Sequence, residues 1–226
     1  MILKEKNGFK WLEFALFQEY TEILHGVFLR SNSDPDQDKI KELLGISQAK
    51  SVKQIHSDLI KDIDYLEEDN VCDAIITKKN GVSLHIRHAD CQAAVFFDPI
   101  KKVIANVHCG WRGNVQNIYG KMVATLQENY GCNPTNIIVG ISPSLGPLHA
   151  EFKNFKAEFP EFMWPFQIKA NYFDLWQIGR FQLETAGILS KHIEIAEICT
   201  YQNDKDWHSY RRSKTLLRNQ TIIAMK

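Results

Sequence analysis

Three residues that lie far apart in the sequence carry side chains able to bind a metal ion: His56, Cys91 and His108. Each stands at the predicted end of a strand or between two strands, where α/β proteins commonly gather reactive groups. Two imidazoles and one thiolate suit zinc, and three protein ligands leave the fourth tetrahedral position open, as in a catalytic site. A histidine or cysteine at a strand end is more often simply packed, so residue type and position alone leave both interpretations open.

The stretch ANVHCGWRGN, residues 105–114, adds a pattern for anion binding directly after His108. A predicted strand passes here into a helix, whose first turn presents free backbone N–H groups and the positive end of its dipole. Gly110 and Gly113 would let the backbone approach a ligand, and the planar guanidinium of Arg112 suits phosphate oxygens. The pattern is not a Walker loop. Glycines that only form a turn, with a solvated or ion-paired arginine, are the alternative.

Neighbouring polar residues also have two interpretations each. Asp90 precedes Cys91 and could orient a ligand imidazole, or it could cap a turn. Cys109 should point away from His108 if the strand continues, which favours a packed thiol. Near the C-terminus stands a basic cluster of a kind that usually forms a solvated face: Arg211, Arg212, Lys214 and Arg218.

Short apolar runs predict the strands that position these residues. Buried strands are predicted at CDAIIT, VSLHIRHAD, AAVFFDP, KVIANVHC and NIIVGI, with turn signals such as KKNG and DPIKK between them. Further strands are predicted at WLEFALF, HGVFLR, SVKQIHS and IEIAEICTY. Alternation along SVKQIHS places Gln54 and His56 on one face of that strand.

Three segments have the pattern of helices. The first is SDPDQDKIKELLGI, which should end near Gly45. The second, GNVQNIYGKMVATLQENYG, should follow its strand directly and end at Gly131, and the third, FDLWQIGRFQLETAGILSKH, should be opened by Asp174. No linker, repeat or low-complexity segment interrupts this succession. We therefore predict one α/β domain over residues 1–226.

Composition narrows the class of partner. Lys plus Arg equals Asp plus Glu, at 27 each, so no global field favours nucleic acid or an acidic membrane. The first 17 residues lack the apolar core of a signal peptide, and no apolar run approaches membrane-spanning length. The five cysteines are odd in number and form no CxxC, which is typical of reduced thiols. We expect a cytoplasmic protein that binds neither nucleic acid nor membrane.

Eight segments together resemble one family: KQIH, CDAIIT, HADC, VHCGWRG, ISPSLGP, DLW, CTY and HSYRR, in this order. It is the laccase-domain family, named for multicopper polyphenol oxidases, whose members are assigned as zinc-dependent purine nucleoside phosphorylases. The ADC and HxGWRG motifs are the most specific parts of the resemblance. It implies a layered α/β sandwich with mixed sheets flanked by helices, and one zinc ion held by His56, Cys91 and His108. It also implies phosphorolysis of adenosine, inosine, guanosine and methylthioadenosine, with adenosine deamination as a second activity.

The sequence departs from the family pattern mainly in its loops. The family has an arginine followed by a Gly-Gly loop, whereas Arg30 leads into SNSDPDQDK. HADCQA replaces the usual TADC.P, and HCGWRG replaces the usual HAGWRG. Ser142 replaces a glycine, LHAEF lacks the usual Cys and Tyr, and Leu217 stands where a glycine is expected. The metal motif therefore matches the family better than the loops that would face a substrate.

The resemblance assigns roles to further residues. Phosphorolysis needs positive charge to hold inorganic phosphate, for which Arg112, Arg30 and Arg211 are candidates. Gln54 is a further candidate for substrate contact. Deamination would use the metal to lower the pKa of a bound water and would need a proton carrier. Asp90 is our candidate for that role, because the HxE and PCxxC pattern of the zinc deaminases is absent.

Three other functions remain open on the sequence. Cys91, activated by His56 or His108, could be the nucleophile of a hydrolase. The same three residues could hold copper in a polyphenol oxidase, with Met122 as an axial ligand, although no HxH pair of a multicopper oxidase is present. A protein that only binds a small molecule, linked to cell-envelope precursors, is the third.

Overall fold

The computed structural model describes residues 1–30, 37–65 and 70–226. Its strands are β1 (Ile2–Lys6), β2 (Phe9–Glu13), β3 (Ile23–Phe28), β4 (Gln48–Ser51), β5 (Ile60–Asp62), β6 (Ala74–Thr77), β7 (Val82–His88), β8 (Gln92–Asp98), β9 (Val103–Cys109), β10 (Ile138–Ile141), β11 (Gln167–Lys169), β12 (Tyr172–Phe173), β13 (Ile193–Ile195) and β14 (Asn219–Met225). Its helices are α1 (Gln37–Leu44), α2 (Trp111–Val115), α3 (Ile118–Tyr130), α4 (Phe155–Glu158), α5 (Leu175–Thr185) and α6 (Tyr210–Ser213).

Two six-stranded mixed sheets form the centre of the fold. The first has the order β1-β2-β3-β14-β7-β4, with β4 parallel to β7 and the other pairs antiparallel. The second has the order β13-β10-β8-β9-β6-β5, with parallel pairs at its two edges. The last strand of the chain, β14, therefore lies in the middle of the first sheet, between β3 and β7.

The sheets pack face to face, and helices cover their outer faces. Leu84 and Ile223 of the first sheet meet Val95 and Ile104 of the second in one buried cluster. Helices α3 and α5 pack on the other face of the second sheet, and α1 covers the outer face of the first. This layered arrangement confirms the predicted α/β class with mixed sheets. No helix in the described ranges is long and apolar enough to cross a membrane.

The layer between the sheets changes from apolar to polar towards one end. Asn106 of β9 donates from its Nδ2 to the carbonyl oxygens of Leu84 and Thr221, at 3.0 and 2.8 Å, and so ties the two sheets together. At the same end, His88 Nε2 lies 2.8 Å from the Thr221 hydroxyl oxygen. Two residues after Asn106, on the same face of β9, stands His108. The site therefore lies where the interlayer core ends.

Several predicted elements are shorter than expected. WLEFALF is a strand only to Glu13, because a 3₁₀ turn follows at Ala15–Phe17. The late strand at IEIAEICTY covers only β13, and SVKQIHS contains only the last residue of β4, so Gln54 and His56 lie in a loop. The predicted start of the first helix at residues 33–36 lies outside the described residues.

The two long helices also differ in part from their patterns. The second helix is interrupted by Asn117, whose φ of 55° is left-handed and whose side chain caps α3 by accepting from the Gly120 N–H. Gly131 ends α3 in the left-handed conformation, as predicted. Asp174 caps the start of α5, also as predicted, but α5 ends at Thr185 rather than continuing to residue 192.

Candidate metal centre

The fold brings the three predicted ligands together. The donor atoms of His56, Cys91 and His108 all lie within 4.8 Å of one another, and Cys91 Sγ is 3.7 Å from His56 Nε2. A tetrahedral zinc ion with its usual bond lengths would hold a sulfur and a nitrogen about 3.6 Å apart. His108 is buried, Cys91 half-buried and His56 exposed. The cluster could therefore hold a metal ion and still leave one side open.

His108 is oriented by a residue that the sequence did not single out, Asp73. The carboxylate oxygen Oδ1 of Asp73 lies 2.8 Å from His108 Nδ1, and the Asp73 carbonyl accepts from the His108 N–H at 2.7 Å. The bond to Nδ1 leaves Nε2 of the ring for the cluster. The sequence did contain one signal for Asp73. It directly precedes the apolar run AIIT, and a carboxylate that is buried with such a run needs a hydrogen-bond partner.

The same carboxylate holds the loop that carries His56. The backbone N–H groups of Ile55, His56 and Ser57 donate to Asp73 at 3.2, 3.0 and 2.7 Å, and the Ser57 hydroxyl donates at 2.7 Å. His56 has a φ of 62°, which is unusual for a residue other than glycine. Asp73 therefore fixes both histidines, one through its ring and the other through its backbone.

Cys91 immediately precedes β8, and Asp90 immediately precedes Cys91. Asp90 has a φ of 80°. Its two carboxylate oxygens accept from the Thr200 hydroxyl at 2.8 Å and from the Arg211 N–H at 2.6 Å. Of the two roles left open for Asp90, that of orienting a ligand imidazole is wrong, because its side chain contacts the C-terminal segment and Asp73 contacts His108.

Two glycines of CGWRGN give space to protein side chains. A Cβ on Gly110 would lie 2.9 Å from His56 Cδ2 and 3.0 Å from Cys91 Sγ, and one on Gly113 would lie 3.2 Å from Cys109 Sγ. Gly110 therefore allows close packing at the cluster, and Gly113 allows close packing against Cys109. The expected approach of this backbone to a ligand stays a prediction. Cys109 is buried in the core, as predicted.

The cluster favours a charged thiolate and imidazolium pair. Burial raises the pKa of Cys91, but His108 and His56 outweigh it and bring the pKa down to about 6. Burial likewise lowers the pKa of His108, but Cys91 and Asp73 outweigh it and raise the pKa to about 9. Hydrogen bonds from His108 and Ser57 lower the pKa of Asp73 to about 2 against the opposing effect of burial. A thiolate is the form of cysteine that binds metals and attacks electrophiles.

The cluster opens into a cavity of about 740 Å³. One part of its wall is apolar and includes Trp111, Phe152, Leu145 and Leu175. The cationic side chains in the wall come from distant parts of the chain: Lys53, Arg87, Arg112, Arg211, Lys214 and Arg218. The basic C-terminal cluster is therefore not simply a solvated face, since three of its members line the cavity and Arg212 donates to backbone carbonyls of Thr200, Tyr201 and Trp207.

The predicted substrate-binding residues differ in their positions. Arg211 lines the cavity, and its Nη1 donates to the carbonyls of His149 and Glu151. Gln54 also lines the cavity, but its amide makes two hydrogen bonds with the backbone of Arg87. Arg30 is not among the described residues of the wall, because its guanidinium donates to the Asp204 carbonyl. The described structure therefore does not bring Arg30 to the cavity, and its contact with substrate stays a prediction.

Other predicted positions are settled by burial and packing. The Arg112 guanidinium lies over the Trp111 ring at 4.2 Å, exposed and facing the cavity region. Met122 is buried in the core between α3 and the second sheet and does not line the cavity, so it is not an axial metal ligand. Ser142 is also buried and accepts from the Ala93 N–H.

Residues 33–226 match the family described as multi-copper polyphenol oxidoreductase laccase. The chain belongs to this family. This laccase-family chain has the same fold as the crystal structure of YlmD from Geobacillus stearothermophilus. The TM-score is 0.83 and the sequence identity is 21%, and the match covers 99% of this chain and 98% of YlmD. The structure of the Bacillus licheniformis hypothetical protein YfiH has a TM-score of 0.81 and 20% identity, and covers 92% and 95%.

Relatives of this laccase-family chain carry the name purine nucleoside phosphorylase. YlmD of Bacillus subtilis is 26% identical over 99% of this chain and 79% of its own length. A protein of Bacteroides thetaiotaomicron is 28% identical over 62% of this chain, and the match spans 55% of the relative. Human LACC1 is 31% identical over 63% of this chain, a match that spans 34% of LACC1.

Proposed function

We propose that this protein is a zinc-dependent purine nucleoside phosphorylase with His56, Cys91 and His108 as the zinc ligands. The observation that carries the proposal is the cluster of three donor atoms within 4.8 Å beside a cavity with cationic and apolar walls. The names of the relatives indicate the substrate class. We extend the proposal to adenosine, inosine, guanosine and methylthioadenosine, with adenosine deamination as a second activity.

The donor set favours zinc over copper. The separation of 3.7 Å between Cys91 Sγ and His56 Nε2 suits a tetrahedral ion with an open position. A blue-copper site would add an axial methionine, and Met122 is buried away from the cluster. When bound, zinc would supply Lewis acidity at one end of the cavity.

Phosphorolysis forms a bond between a phosphate oxygen and C1′ of the ribose while the bond from C1′ to the purine nitrogen breaks. The base leaves with the bonding electrons and takes up a proton. Arg112 and Arg211 would hold the phosphate, and the hydrogen bonds of Arg211 to two carbonyls fix its guanidinium in advance. Trp111 and Phe152 offer an apolar wall to the purine.

Asp90 is the proposed proton carrier for the leaving base and for deamination, because each of its carboxylate oxygens keeps a second lone pair beside the hydrogen bond that it accepts from Thr200 or Arg211. It lines the cavity next to Cys91, and its left-handed backbone places it there at a conformational cost. General acid catalysis contributes roughly 10²- to 10⁴-fold, so an Asp90→Asn variant should lose about that much of kcat. Its KM for phosphate should change far less, because Arg112 and Arg211 remain.

The decisive experiment measures metal content and turnover in one sample. Purified protein is assayed for zinc and copper, then incubated with adenosine or inosine, with and without phosphate. We expect about one zinc per chain and release of base that requires phosphate, while ammonia release from adenosine without phosphate tests deamination. A folded protein without bound metal, or full zinc retention in a Cys91→Ala variant, would refute the ligand assignment.

A cysteine hydrolase is the second candidate, and one observation favours it. Asp73 bonded to His108, with the Cys91 thiol beside both histidines, has the order of a Cys-His-Asp triad. Alkylation with iodoacetamide separates the two functions. A thiolate that binds zinc should react only after a chelator is added, whereas a nucleophile should react at once.

A further inference from the structure

The cavity carries far more positive charge than the protein as a whole. The chain has 27 basic and 27 acidic residues, but the described wall of the cavity has six cationic side chains and one carboxylate, that of Asp90. None of the six forms an ion pair with a carboxylate in the described ranges, whereas Lys102 and Lys121 elsewhere do. Asp90 uses both of its oxygens on Thr200 and Arg211.

One inorganic phosphate does not match this charge. The wall carries a net charge of +5 from its six cations and one carboxylate. A phosphate group brings about two negative charges at neutral pH. A neutral nucleoside adds none, so about three positive charges of the wall would stay unmatched. Zinc bound with the Cys91 thiolate would add one more.

Arg87, Lys214 and Arg218 form one part of the cavity wall, at one end of the first sheet. Arg87 of β7 pairs in register with Gln220 of β14, so Arg218, just before β14, stands at the same end of the sheet. Arg218 Nη1 donates to the carbonyls of Thr215 and Leu217 and so stabilises the turn that follows α6. Lys214, at the end of α6, is fixed in the left-handed conformation with a φ of 51°.

An exposed aromatic ring completes this wall. The Tyr210 side chain is 46% exposed, with Lys214 Nζ 4.8 Å and Arg218 Cζ 6.0 Å from its ring. An aromatic ring close to two cations, next to an open cavity, suits an organic ligand that carries an anionic group. Arg112 lies elsewhere in the chain, on α2 beside the metal cluster.

We propose that the preferred substrates are purine nucleoside monophosphates, whose own phosphate is bound by Arg87, Lys214 and Arg218. This inference rests on the proposed function and specifies its substrate class. Inorganic phosphate would still attack C1′, and the bond from C1′ to the purine nitrogen would break. The base would leave with the bonding electrons and a proton, and the sugar product would carry two phosphates.

Binding to the zinc-loaded protein tests the proposal. Adenosine, adenosine 5′-monophosphate and adenosine 3′-monophosphate are titrated calorimetrically at low and high salt. We expect one of the monophosphates to bind at least tenfold more tightly than adenosine, with an advantage that shrinks at high salt. The two isomers distinguish which ribose oxygen carries the phosphate.

Two variants locate the effect. Lys214→Asn removes a charge but keeps a residue that tolerates the left-handed backbone, and Arg218→Gln removes the second charge. Each should weaken nucleotide binding about two- to fivefold, and both together about tenfold, with a smaller effect on adenosine. Lys191→Ala, an exposed lysine outside the described cavity wall, is the control and should change neither.

The outcomes separate this inference from the proposed function. If adenosine is turned over with phosphate but neither monophosphate binds better, the inference is wrong and the function stands. If a monophosphate binds better and no base is released, the function is wrong and the binding preference stands. If the advantage persists in the double variant, the assignment to Lys214 and Arg218 is overturned, and if no ligand binds, both proposals fail.

Discussion

Replacing Asp73 with asparagine should damage both the metal site and the fold. The buried Asp73 carboxylate accepts from His108 Nδ1, from three consecutive backbone N–H groups at residues 55–57 and from the Ser57 hydroxyl. An amide keeps one oxygen but turns an NH₂ group towards these donors. At least one buried N–H is then left without an acceptor.

The structure sets the size of the effect. Hydrogen bonds lower the pKa of Asp73 from 3.8 to about 2, and two pKa units correspond to about 2–3 kcal/mol of stability. Because the pKa is lowered in the folded state, this contribution is complete above the unfolded pKa of 3.8 and is lost as the pH falls towards 2. With the unsatisfied donor added, we expect Asp73→Asn to lower the free energy of unfolding by about 3–5 kcal/mol.

The assay has two measurements and a matched control. Urea unfolding gives the free energy, and competition with a chelator gives zinc affinity, which should fall by about 10- to 100-fold. Asp58→Asn is the control, because the Asp58 side chain is partly exposed and its ion pair with Lys121 is at the surface, so the change should cost under about 1 kcal/mol. If Asp73→Asn does not fold, Ser57→Ala replaces it in the assay, because of the hydrogen bonds to Asp73 it removes only that from the Ser57 hydroxyl. Unchanged zinc affinity in a folded Asp73→Asn variant would refute the reasoning.

Three further predictions concern other parts of the molecule. Burial lowers the pKa of His25 to about 4, and its Nε2 accepts from the Phe14 N–H, so the folded protein keeps this ring neutral. In the unfolded chain His25 binds a proton below about pH 6.5, so the free energy of unfolding should fall by about 3 kcal/mol between pH 6.5 and pH 4. Denaturant unfolding at several pH values measures this fall. An NMR titration that placed the pKa of His25 near 6.5 in the folded protein would contradict the prediction. Gly110→Ala would place a Cβ 3.0 Å from Cys91 Sγ and should lower zinc affinity at least tenfold in the chelator assay. Arg30→Ala should leave substrate KM unchanged within about twofold, because its guanidinium is bonded to the Asp204 carbonyl; a tenfold rise in KM would return Arg30 to the site.

The sequence could predict which residues form the cluster because their types carry the chemistry. Histidine and cysteine at predicted strand boundaries made His56, Cys91 and His108 candidates and left a packed role open, and the resemblance then favoured the metal site. Their convergence depends on the pairing of β6 with β9 and of β8 with β9, contacts that local patterns do not specify. The capping residues Asp174 and Gly131 were predictable for the opposite reason, because a cap acts within one turn of its helix.

The misassigned residues depend on contacts between distant segments. Asp73 was read as part of a strand, although its partners at residues 55–57 and at His108 make it the centre of the site. The sequence left two roles open for Asp90, to orient a ligand imidazole or to cap a turn, because it shows only that Asp90 is adjacent to Cys91. The left-handed backbone of His56 places its ring in the cluster from a loop rather than from a strand. A single sequence contains no signal that distinguishes the two aspartates, since both are short carboxylates beside apolar runs.

The central position of β14 determines when the first sheet can be completed. The first sheet joins β3 to β7 only through β14, which consists of residues 219–225. Because β3 and β7 precede β14 in the chain, each of them has one unpaired edge until β14 inserts between them. Lys214 and Arg218 of the cationic wall lie just before β14 in the chain, so they reach their places in the same step. The binding chemistry of the cavity and the closure of the sheet are thus acquired together.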